Sequence, residues 1–459
     1  MKRPLILIVC AYALIFSFSS CSKSNSEKEN KKEVDTQLPA KQYLYQIMTD
    51  IYYWNTEVPT TVSTSNIDIF DYFDKLLVPQ DRWSWMETGE DYNKSETGIY
   101  TSYGASLGQA IDYYKDYNVR VKYVYKDSPF DKAGVTRGWT IYKINGVKVS
   151  DILSQTNGSE KFNTEFYHSP NTFTFLDLNN KEVVKEITAT EISTRSVLLS
   201  KVFTSTDYPS LPHPVGYMVY LTFNQNMLSD IDNAISQFNQ AGIKDLILDL
   251  RYNGGGNTKA SERLANYLAP ASADGGLFVQ LKHNSNYSAI DNQSSSKTYI
   301  KRMSNALNLT RLYIITGKGT ASASEIIINC LDPYMNVITV GNTTYGKPNG
   351  MYVLAYPDNN YTSAEYIFLP ICFYSLNKEG KGFYEDGIKP TQYWPDDYYH
   401  DFGASEELVK NCLQNITTGT FPVLKQASIA SKSSTGPMSK IITDEEKEHY
   451  GLFTVIPHK

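Results

Sequence analysis

Apolar stretches alternate with amphipathic ones between residues 213 and 340, and this alternation constrains the fold more than any other feature of the 459-residue sequence. Short continuous apolar runs indicate buried strands, whereas apolar residues at helical spacing indicate helices. The predicted elements are, in chain order, strand 215–223, helix 231–238, strand 246–250, a helix ending at 268, strand 312–316, helix 323–331 and strand 337–340. Strands that alternate with helices in this way predict a layered α/β fold.

The flanking regions have a different character. Residues 41–95 carry apolar side chains at helical spacing and predict a small helical cap, in which the aromatic-rich run 81–85 is interpreted as a packing anchor. Residues 96–190 contain strand-like stretches and an Asn145-Gly146 pair, which is a strong signal for a two-residue hairpin turn. The α/β core is expected at 195–400, followed by a helical or loose C-terminal tail at 401–459.

The first twenty residues have the properties of a targeting signal. Two basic residues precede an apolar run at 5–18, and two small serines come directly before Cys21. This order resembles the lipobox of bacterial lipoproteins, which implies a signal peptide at 1–20 and lipidation of Cys21. An ordinary secretory signal is the alternative. Residues 21–40 predict a polar tether, and Ser22 resembles the residue that follows the lipidated cysteine in lipoproteins sent to the outer membrane of Gram-negative bacteria.

Charge and cysteine usage exclude several classes of protein. The formal net charge of −6 argues against nucleic acid as a partner, because such proteins present a strongly basic face. Cys330, Cys372 and Cys412 are widely spaced and form no C-x-x-C pattern, which argues against a zinc site or a disulfide framework. We expect buried thiols, with one disulfide left open, and neither a metal nor a cofactor.

Ser322 lies where the predicted strand 312–316 turns into the helix 323–331. Backbone N–H groups and the positive end of a helix at such a junction stabilise a developing oxyanion, so a serine here is a candidate nucleophile. The alternative is an ordinary helix N-cap. Ser324 is the second candidate nucleophile. Glu325 is interpreted as an acidic residue that favours the helix start, with a role in orienting the site as the alternative.

A serine nucleophile needs a general base, and none of the six histidines lies in a recognisable strand-end motif. A lysine serves this role when burial lowers its pKa. Lys347 follows the predicted strand 337–340, which is the next element after the helix that Ser322 precedes. Because neighbouring strands of a layered fold lie side by side, we expect Lys347 to return towards Ser322.

The segment Thr-Ala-Ser-Ala-Ser-Glu-Ile at 320–326 and the segment Thr-Tyr-Gly-Lys at 344–347 resemble the active-site pair of the tail-specific (C-terminal processing) serine protease family. In that family the serine and the lysine lie 25 positions apart, as they do here (347 − 322 = 25). The loop 249–256 resembles the family's D-L-R-x-N-x-G-G segment, and 387–390 resembles its G-I-x-P segment, with Thr391 in place of the following Asp. The resemblance covers about residues 96–395.

This resemblance implies specific roles. Ser322 would be the nucleophile and Lys347 the general base of an acyl-enzyme mechanism. The backbone N–H of Ala323, together with that of Gly255 or Gly256, would form the oxyanion hole. The resemblance also implies a core related to the crotonase and Clp-protease fold.

The chain departs from the family pattern at one position near the lysine. Many members carry a glutamine four residues after the lysine, where this chain has Met351.

The segments 128–135 and 144–147 resemble a PDZ domain, a module that binds an extended peptide at a sheet edge. The candidate loop for binding a peptide carboxylate follows Gly104 and consists of Ala105, Ser106, Leu107 and Gly108. A PDZ fold that acts only as a spacer is the alternative.

The sequence as a whole therefore predicts an α/β (α+β multidomain) fold and a serine endopeptidase that cleaves polypeptides near their C-termini. Its partners would be polypeptide substrates and, through Cys21, a membrane. One alternative is a catalytically weak or inactive PDZ-bearing envelope lipoprotein that binds peptides or scaffolds a complex. A second alternative is a hydrolase that uses the same two residues on non-peptide acyl substrates.

Overall fold

The computed structural model describes residues 35–424, apart from 112, 115 and 359, together with the short segment 452–454. The predicted signal peptide, Cys21 and most of the predicted tether therefore lie outside the described residues. Within the described part of the chain, no helix is both long enough and apolar enough to cross a lipid bilayer. The described residues from Gln37 onward belong to one compact unit.

The N-terminal region shares one hydrophobic core with the α/β part of the chain. Its elements are α1 (Leu38–Asp50), α2 (Ile69–Leu76), β1 (Trp85–Thr88) and α3 (Gly89–Thr97). The α2 helix begins at an Asp68 N-cap, whose carboxylate accepts a hydrogen bond from the Phe70 N–H, and it buries one apolar face. The prediction of a helical cap at 41–95 is wrong for residues 85–88, which form β1 and pair with residues 366–369 of the main core.

Residues 99–193 form a separate layer around their own apolar cluster. The elements are β2 (Ile99–Ser102), β3 (Ala105–Ala110), β4 (Asp116–Val124), α4 (Pro129–Lys132), β5 (Thr140–Ile144), β6 (Val147–Lys148), α5 (Val149–Leu153), α6 (Gly158–Tyr167), β7 (Asn171–Leu176), β8 (Glu182–Ile187) and β9 (Thr190–Ser193). The main sheet has the strand order β3-β4-β5-β7-β8, and β2 pairs with β9. The hairpin prediction is confirmed, since Asn145 and Gly146 both have positive φ and connect β5 to β6.

The predicted carboxylate-binding loop is wrong as a loop. Ala105, Ser106, Leu107 and Gly108 belong to β3, which pairs antiparallel with β4 at the edge of the sheet. The segment becomes a strand because its backbone groups find their partners in β4, a neighbour with strongly alternating burial.

The α/β part of the chain contains most of the remaining elements. They are β10 (Val197–Phe203), β11 (Val215–Tyr220), α7 (Leu228–Ala241), β12 (Asp245–Asp249), β13 (Gly256–Asn257), α8 (Thr258–Leu268), β14 (Leu277–His283), β15 (Lys297–Tyr299), β16 (Arg311–Thr316), α9 (Ala323–Leu331), β17 (Val337–Gly341), β18 (Asn349–Tyr352), β19 (Leu354–Tyr356), β20 (Tyr366–Leu369), β21 (Ile371–Leu376), β22 (Gln392–Tyr393), α10 (Glu407–Thr418) and β23 (Leu452–Thr454).

The central sheet has the order β10-β11-β12-β16-β17-β22, and every pair except β10–β11 is parallel. Side chains of α7, α8 and α9 share a core with one face of this sheet, and side chains of α10 share a core with the other. Because both faces are covered, all five residues of β12 are buried, which explains the continuous apolar run in the sequence. The predicted α/β layer is confirmed.

Two further sheets lie beside this layer, with the orders β13-β23-β18-β21-β14-β15 and β1-β20-β19. The strand β23 comes from the region 401–459, which was expected to be helical or loose. The helix α10 agrees with that expectation, whereas β23 contradicts it, since its backbone pairs within a core sheet.

Candidate active site

Three neighbouring strands of the central sheet end at the same edge and place the predicted site residues there. The strands β12, β16 and β17 are adjacent and parallel. The glycine loop follows β12, Ser322 follows β16 and Lys347 follows β17. In open α/β sheets, ligands bind outside the carboxyl ends of the strands, so this edge is the expected place for chemistry.

Ser322 is the N-cap of α9 and has an unusual backbone conformation. Its φ is 55° and its ψ is −110°, and the residue is fully buried. A positive φ on a residue other than glycine, asparagine or aspartate is costly and persists only where the surrounding structure enforces it. The Oγ atom makes no hydrogen bond to any residue that the structure describes. A strained junction therefore holds an unpaired hydroxyl at the end of β16.

The carboxylate of Glu325 connects the two predicted catalytic segments. Its Oε2 atom accepts hydrogen bonds from the backbone N–H groups of Ser322 at 2.7 Å and Lys347 at 2.8 Å. Its Oε1 atom accepts from the Gly346 N–H at 2.8 Å and the Thr344 hydroxyl at 2.5 Å. Burial raises the pKa of this carboxyl, and the four hydrogen bonds oppose that shift. Glu325 is thus more than a favourable charge at a helix start, because it fixes both backbones to one carboxylate.

Lys347 is fully buried, and a thioether and an aromatic ring lie near its amine. The Nζ atom is 3.6 Å from the Met351 sulfur and lies 4.8 Å from the centre of the Trp85 ring. Burial lowers the pKa of Lys347 well below its usual value, and the charges of Asp81 and Glu325 only partly oppose this. A lowered pKa increases the fraction of the neutral amine, which is the form that accepts a proton.

The side chain of Asn253 braces the glycine loop from within. Asn253 Oδ1 accepts a hydrogen bond from the Gly255 N–H at 2.9 Å, and Asn253 Nδ2 donates to the Tyr220 carbonyl. The Gly255 N–H therefore has a partner inside the loop, which favours Gly256 of the two predicted oxyanion donors. A side chain at Gly256 would not fit, since its φ is 133° and a Cβ atom would lie 2.5 Å from the Phe223 carbonyl oxygen.

Arg251 anchors the start of the glycine loop through a buried ion network that sequence analysis did not find. Its guanidinium contacts Asp249 at 2.7 Å, Glu406 at 2.6 Å and Asp396 at 2.8 Å. Burial opposes the charge on Asp396, but Arg251 and Arg137 still hold its pKa below the usual value. Asp396 and Glu406 carry no local signal, because their partners come from distant parts of the chain.

Ala323 occupies the first position of α9, where backbone N–H groups have no partner within the helix. Its N–H therefore fits the predicted oxyanion role. Ser324, the second candidate nucleophile, donates its hydroxyl hydrogen to the Asn253 carbonyl at 3.0 Å and so has a structural function. The Ala105–Gly108 segment belongs to a different sheet from these residues.

Two contacts of Lys347 were not expected from the sequence. Trp85 lies in the run interpreted as a packing anchor, yet its ring faces the lysine amine. Met351 occupies the position of the family's glutamine and contributes a thioether to the same amine. The departure at residue 351 was visible in the sequence, but no pattern linked Trp85 to a loop so far along the chain.

Replacing Met351 with glutamine should shift the pH dependence of activity. A carboxamide oxygen near Nζ stabilises the ammonium form, so the rising limb of kcat/KM against pH should move to higher pH. One well-formed hydrogen bond contributes about 0.5–1.5 kcal/mol, so kcat should rise about two- to tenfold if the bond orients the lysine. The measurement is a pH–rate profile on a peptide substrate.

Met351→Leu is the matched control, because it removes the sulfur without adding an acceptor. We expect the rising limb of kcat/KM against pH not to move to higher pH in Met351→Leu. Identical profiles for the glutamine and leucine variants would show that residue 351 does not position Lys347.

A buried serine at a strained strand-to-helix junction, beside a braced glycine loop, is the arrangement that serine hydrolases use. Comparison with known proteins gives the same class. Residues 40–85 match the model of the peptidase S41 N-terminal domain, and residues 214–393 match the model of peptidase family S41.

Individual relatives agree with these matches. The chain is 26% identical over 288 residues to the chloroplastic carboxyl-terminal-processing peptidase 3 of Arabidopsis thaliana, covering 60% of this chain and 50% of that protein. It is 22% identical over 391 residues to a protein described as a CtpA-like serine protease of Staphylococcus epidermidis, covering 83% of this chain and 70% of the relative. The chain thus spans about half the length of the Arabidopsis protein.

The fold is also found in a crystal structure described as an S41 protease of Bacteroides fragilis. That structure superposes with a TM-score of 0.65 at 22% identity, over 82% of this chain and 97% of the other. Residues 40–85 and 214–393 therefore carry the two regions of peptidase family S41, and the resemblance to the tail-specific, or C-terminal processing, serine proteases is confirmed.

Proposed function

We propose that this protein is a serine endopeptidase that cleaves polypeptides near their C-termini through a Ser322/Lys347 dyad. The observation that carries the proposal is the shared carboxylate of Glu325, which binds the backbones of both residues and keeps them together. The lowered pKa of Lys347 supports its role as the base, since a lysine with its ordinary pKa would be protonated at neutral pH.

In the proposed mechanism, the neutral Lys347 amine takes the proton of Ser322 as Oγ attacks the scissile carbonyl carbon. The resulting oxyanion is stabilised by the backbone N–H groups of Ala323 and Gly256. Lys347 then donates its proton to the leaving amine as the peptide C–N bond breaks, which leaves an acyl-enzyme. Water, deprotonated by Lys347, hydrolyses that ester and releases the carboxylate product.

The substrates that we propose are unfolded or extended polypeptides with accessible C-termini. The name of the Arabidopsis relative refers to carboxyl-terminal processing, and the region 96–190 carries the PDZ-like sequence pattern. We also propose that Cys21 is lipidated and that the chain is held at the cell envelope, on the outer membrane of a Gram-negative bacterium. Labelling with an azide-bearing fatty acid, with and without Cys21→Ala, tests that anchor.

A binding protein without catalysis is the second candidate function. The observation in its favour is that Ser322 Oγ makes no hydrogen bond within the described residues, so the dyad is not closed by a direct contact. Hydrogen bonds of catalytic groups often form only in the complex with substrate, so this geometry does not exclude catalysis.

Hydrolysis of unfolded casein by the chain from residue 22 onward tests the proposal. The native chain should cut casein in the presence of a chelator, and Ser322→Ala should remove that activity. Ser324→Ala makes the same chemical change two residues along the chain and should retain turnover. Equal cutting by the native chain and Ser322→Ala would refute the dyad, and no cutting by the native chain would favour the binding protein.

A further inference from the structure

The C-terminal segment Leu452–Thr454 forms β23, which lies between two strands that belong to the candidate active site. On one side it pairs parallel with β13, where Leu452 is opposite Gly256 and Phe453 is opposite Asn257. On the other side it pairs parallel with β18, where Phe453 is opposite Met351. The chain's own C-terminal region thus completes a sheet at this site.

Both flanking strands carry groups of the proposed mechanism. Gly256, the candidate oxyanion donor, is the first residue of β13. Met351, whose sulfur contacts the Lys347 amine, lies in β18. A strand placed between β13 and β18 therefore runs between the oxyanion loop and the segment that follows the general base, which is where an extended substrate has to lie.

Backbone pairing gives this position its affinity for a peptide. The strand β18 is paired with β21 on its other side, so without β23 it would be the edge of that sheet and would present unpaired N–H and C=O groups. Extended peptides bind such edges by adding a strand, largely independently of their side chains. The sequence Leu-Phe-Thr-Val-Ile at 452–456 is rich in β-branched and aromatic residues that favour strands.

We propose that the slot between β13 and β18 is the site that binds the substrate backbone, as an added strand parallel to both neighbours, and that residues 452–454 occupy it in cis. The native chain is then self-inhibited, and a substrate has to displace the tail. The inhibitory consequence rests on the proposed peptidase function, whereas occupancy of the slot by the tail does not.

The expected size of the effect follows from tethering. A tethered segment acts at an effective concentration on the order of 1 mM, so a tail that binds with a Kd of about 100 µM as a free peptide would weaken a competing peptide about tenfold. Removing or breaking the tail strand should raise the apparent affinity for peptides, and the hydrolysis rate at low substrate concentration, by about that factor.

The test measures binding in the Ser322→Ala background, so that it does not depend on catalysis. The probe is a fluorescein-labelled peptide with the sequence of residues 450–459, and its binding is measured by fluorescence anisotropy. The variants are a chain that ends after Leu424 and a full-length chain with Phe453→Pro, which removes a strand N–H. Ser433→Pro, in the part of the tail outside the described residues, is the matched control.

The proposal is supported if the truncated chain and Phe453→Pro bind the peptide about tenfold more tightly than the intact chain and Ser433→Pro do. Equal affinity in all four, or no binding to any, would overturn it. Circular dichroism confirms folding, and the full-length Phe453→Pro variant carries the test if the truncated chain does not fold. If the variants bind the peptide as expected but no variant that contains Ser322 hydrolyses a peptide, the tail still occupies the slot and the proposed peptidase function is rejected.

Discussion

Lys347→Met should lower kcat/KM by about 10²–10⁴-fold, the usual contribution of a general base, and should raise the free energy of unfolding. Burial lowers the pKa of the Lys347 side chain, so the unfolded chain binds a proton at this site more tightly than the folded chain does. Each unit of that shift costs the folded state about 1.4 kcal/mol at pH values below both pKa values. Methionine has a similar shape and carries no such cost.

The change in stability expected for Lys347→Met depends on pH, and its direction follows from the lowered pKa of Lys347. In the native chain, the cost is complete below the folded-state pKa of Lys347 and disappears as the pH rises towards that of an exposed lysine, about 10.4. The stability gained in Lys347→Met should therefore be largest at low pH and vanish near pH 10, which thermal unfolding at several pH values measures. Lys244→Met, at an exposed position, should change stability by no more than about 0.5 kcal/mol. A Lys347→Met variant that is less stable than the native chain at every pH would contradict the assigned pKa direction.

Glu325→Gln should reduce both stability and kcat despite the nearly identical shape of the two side chains. All four groups around this carboxylate donate hydrogen bonds, two to each oxygen. A carboxamide offers one oxygen and one NH₂ group, so at least two buried donors lose their acceptor. Each unsatisfied buried group costs about 1–3 kcal/mol. Released from a common anchor, Ser322 and Lys347 would move relative to each other, and misplacement of about 1 Å can lower the rate about 10²-fold.

The separation of kcat from KM distinguishes positioning from substrate binding. A positioning residue should lower kcat with little change in KM, and thermal unfolding reports the loss of stability independently. Glu379→Gln makes the same chemical change at an exposed glutamate that forms a surface ion pair with exposed Lys381, and it should be near neutral. A Glu325→Gln variant with native kcat would show that the shared carboxylate does not hold the dyad.

The sequence predicted those parts of the molecule whose signals are local. The strands β12, β16 and β17 and the helix α9 were located to within a few residues, because each is short, apolar and bounded by glycine or polar residues. The Asn145-Gly146 turn was predicted for the same reason, since the two residues fix their own backbone conformation.

Elements that depend on distant partners were missed. The strand β1 lies in an aromatic-rich run that gives no strand signal by itself, and it forms because β20 offers a free edge. The segment Ala105–Gly108 was interpreted as a loop, yet pairing with β4 extends it into a strand. The three residues of β23 are too few to show any periodicity, and only the slot between β13 and β18 makes them a strand.

The sequence by itself determined which chemical groups are available and in what order: a serine before a helix, a lysine after the next strand and a glycine loop after an earlier one. Only the tertiary structure decided that Lys347 is desolvated between Trp85 and Met351, that Glu325 joins the backbones of Ser322 and Lys347, and that the C-terminal segment lies between β13 and β18. The physical reason is that pKa values and strand pairing depend on burial and on neighbours in space. Both are set by how the chain packs, whereas residue identity and spacing are properties of the chain alone.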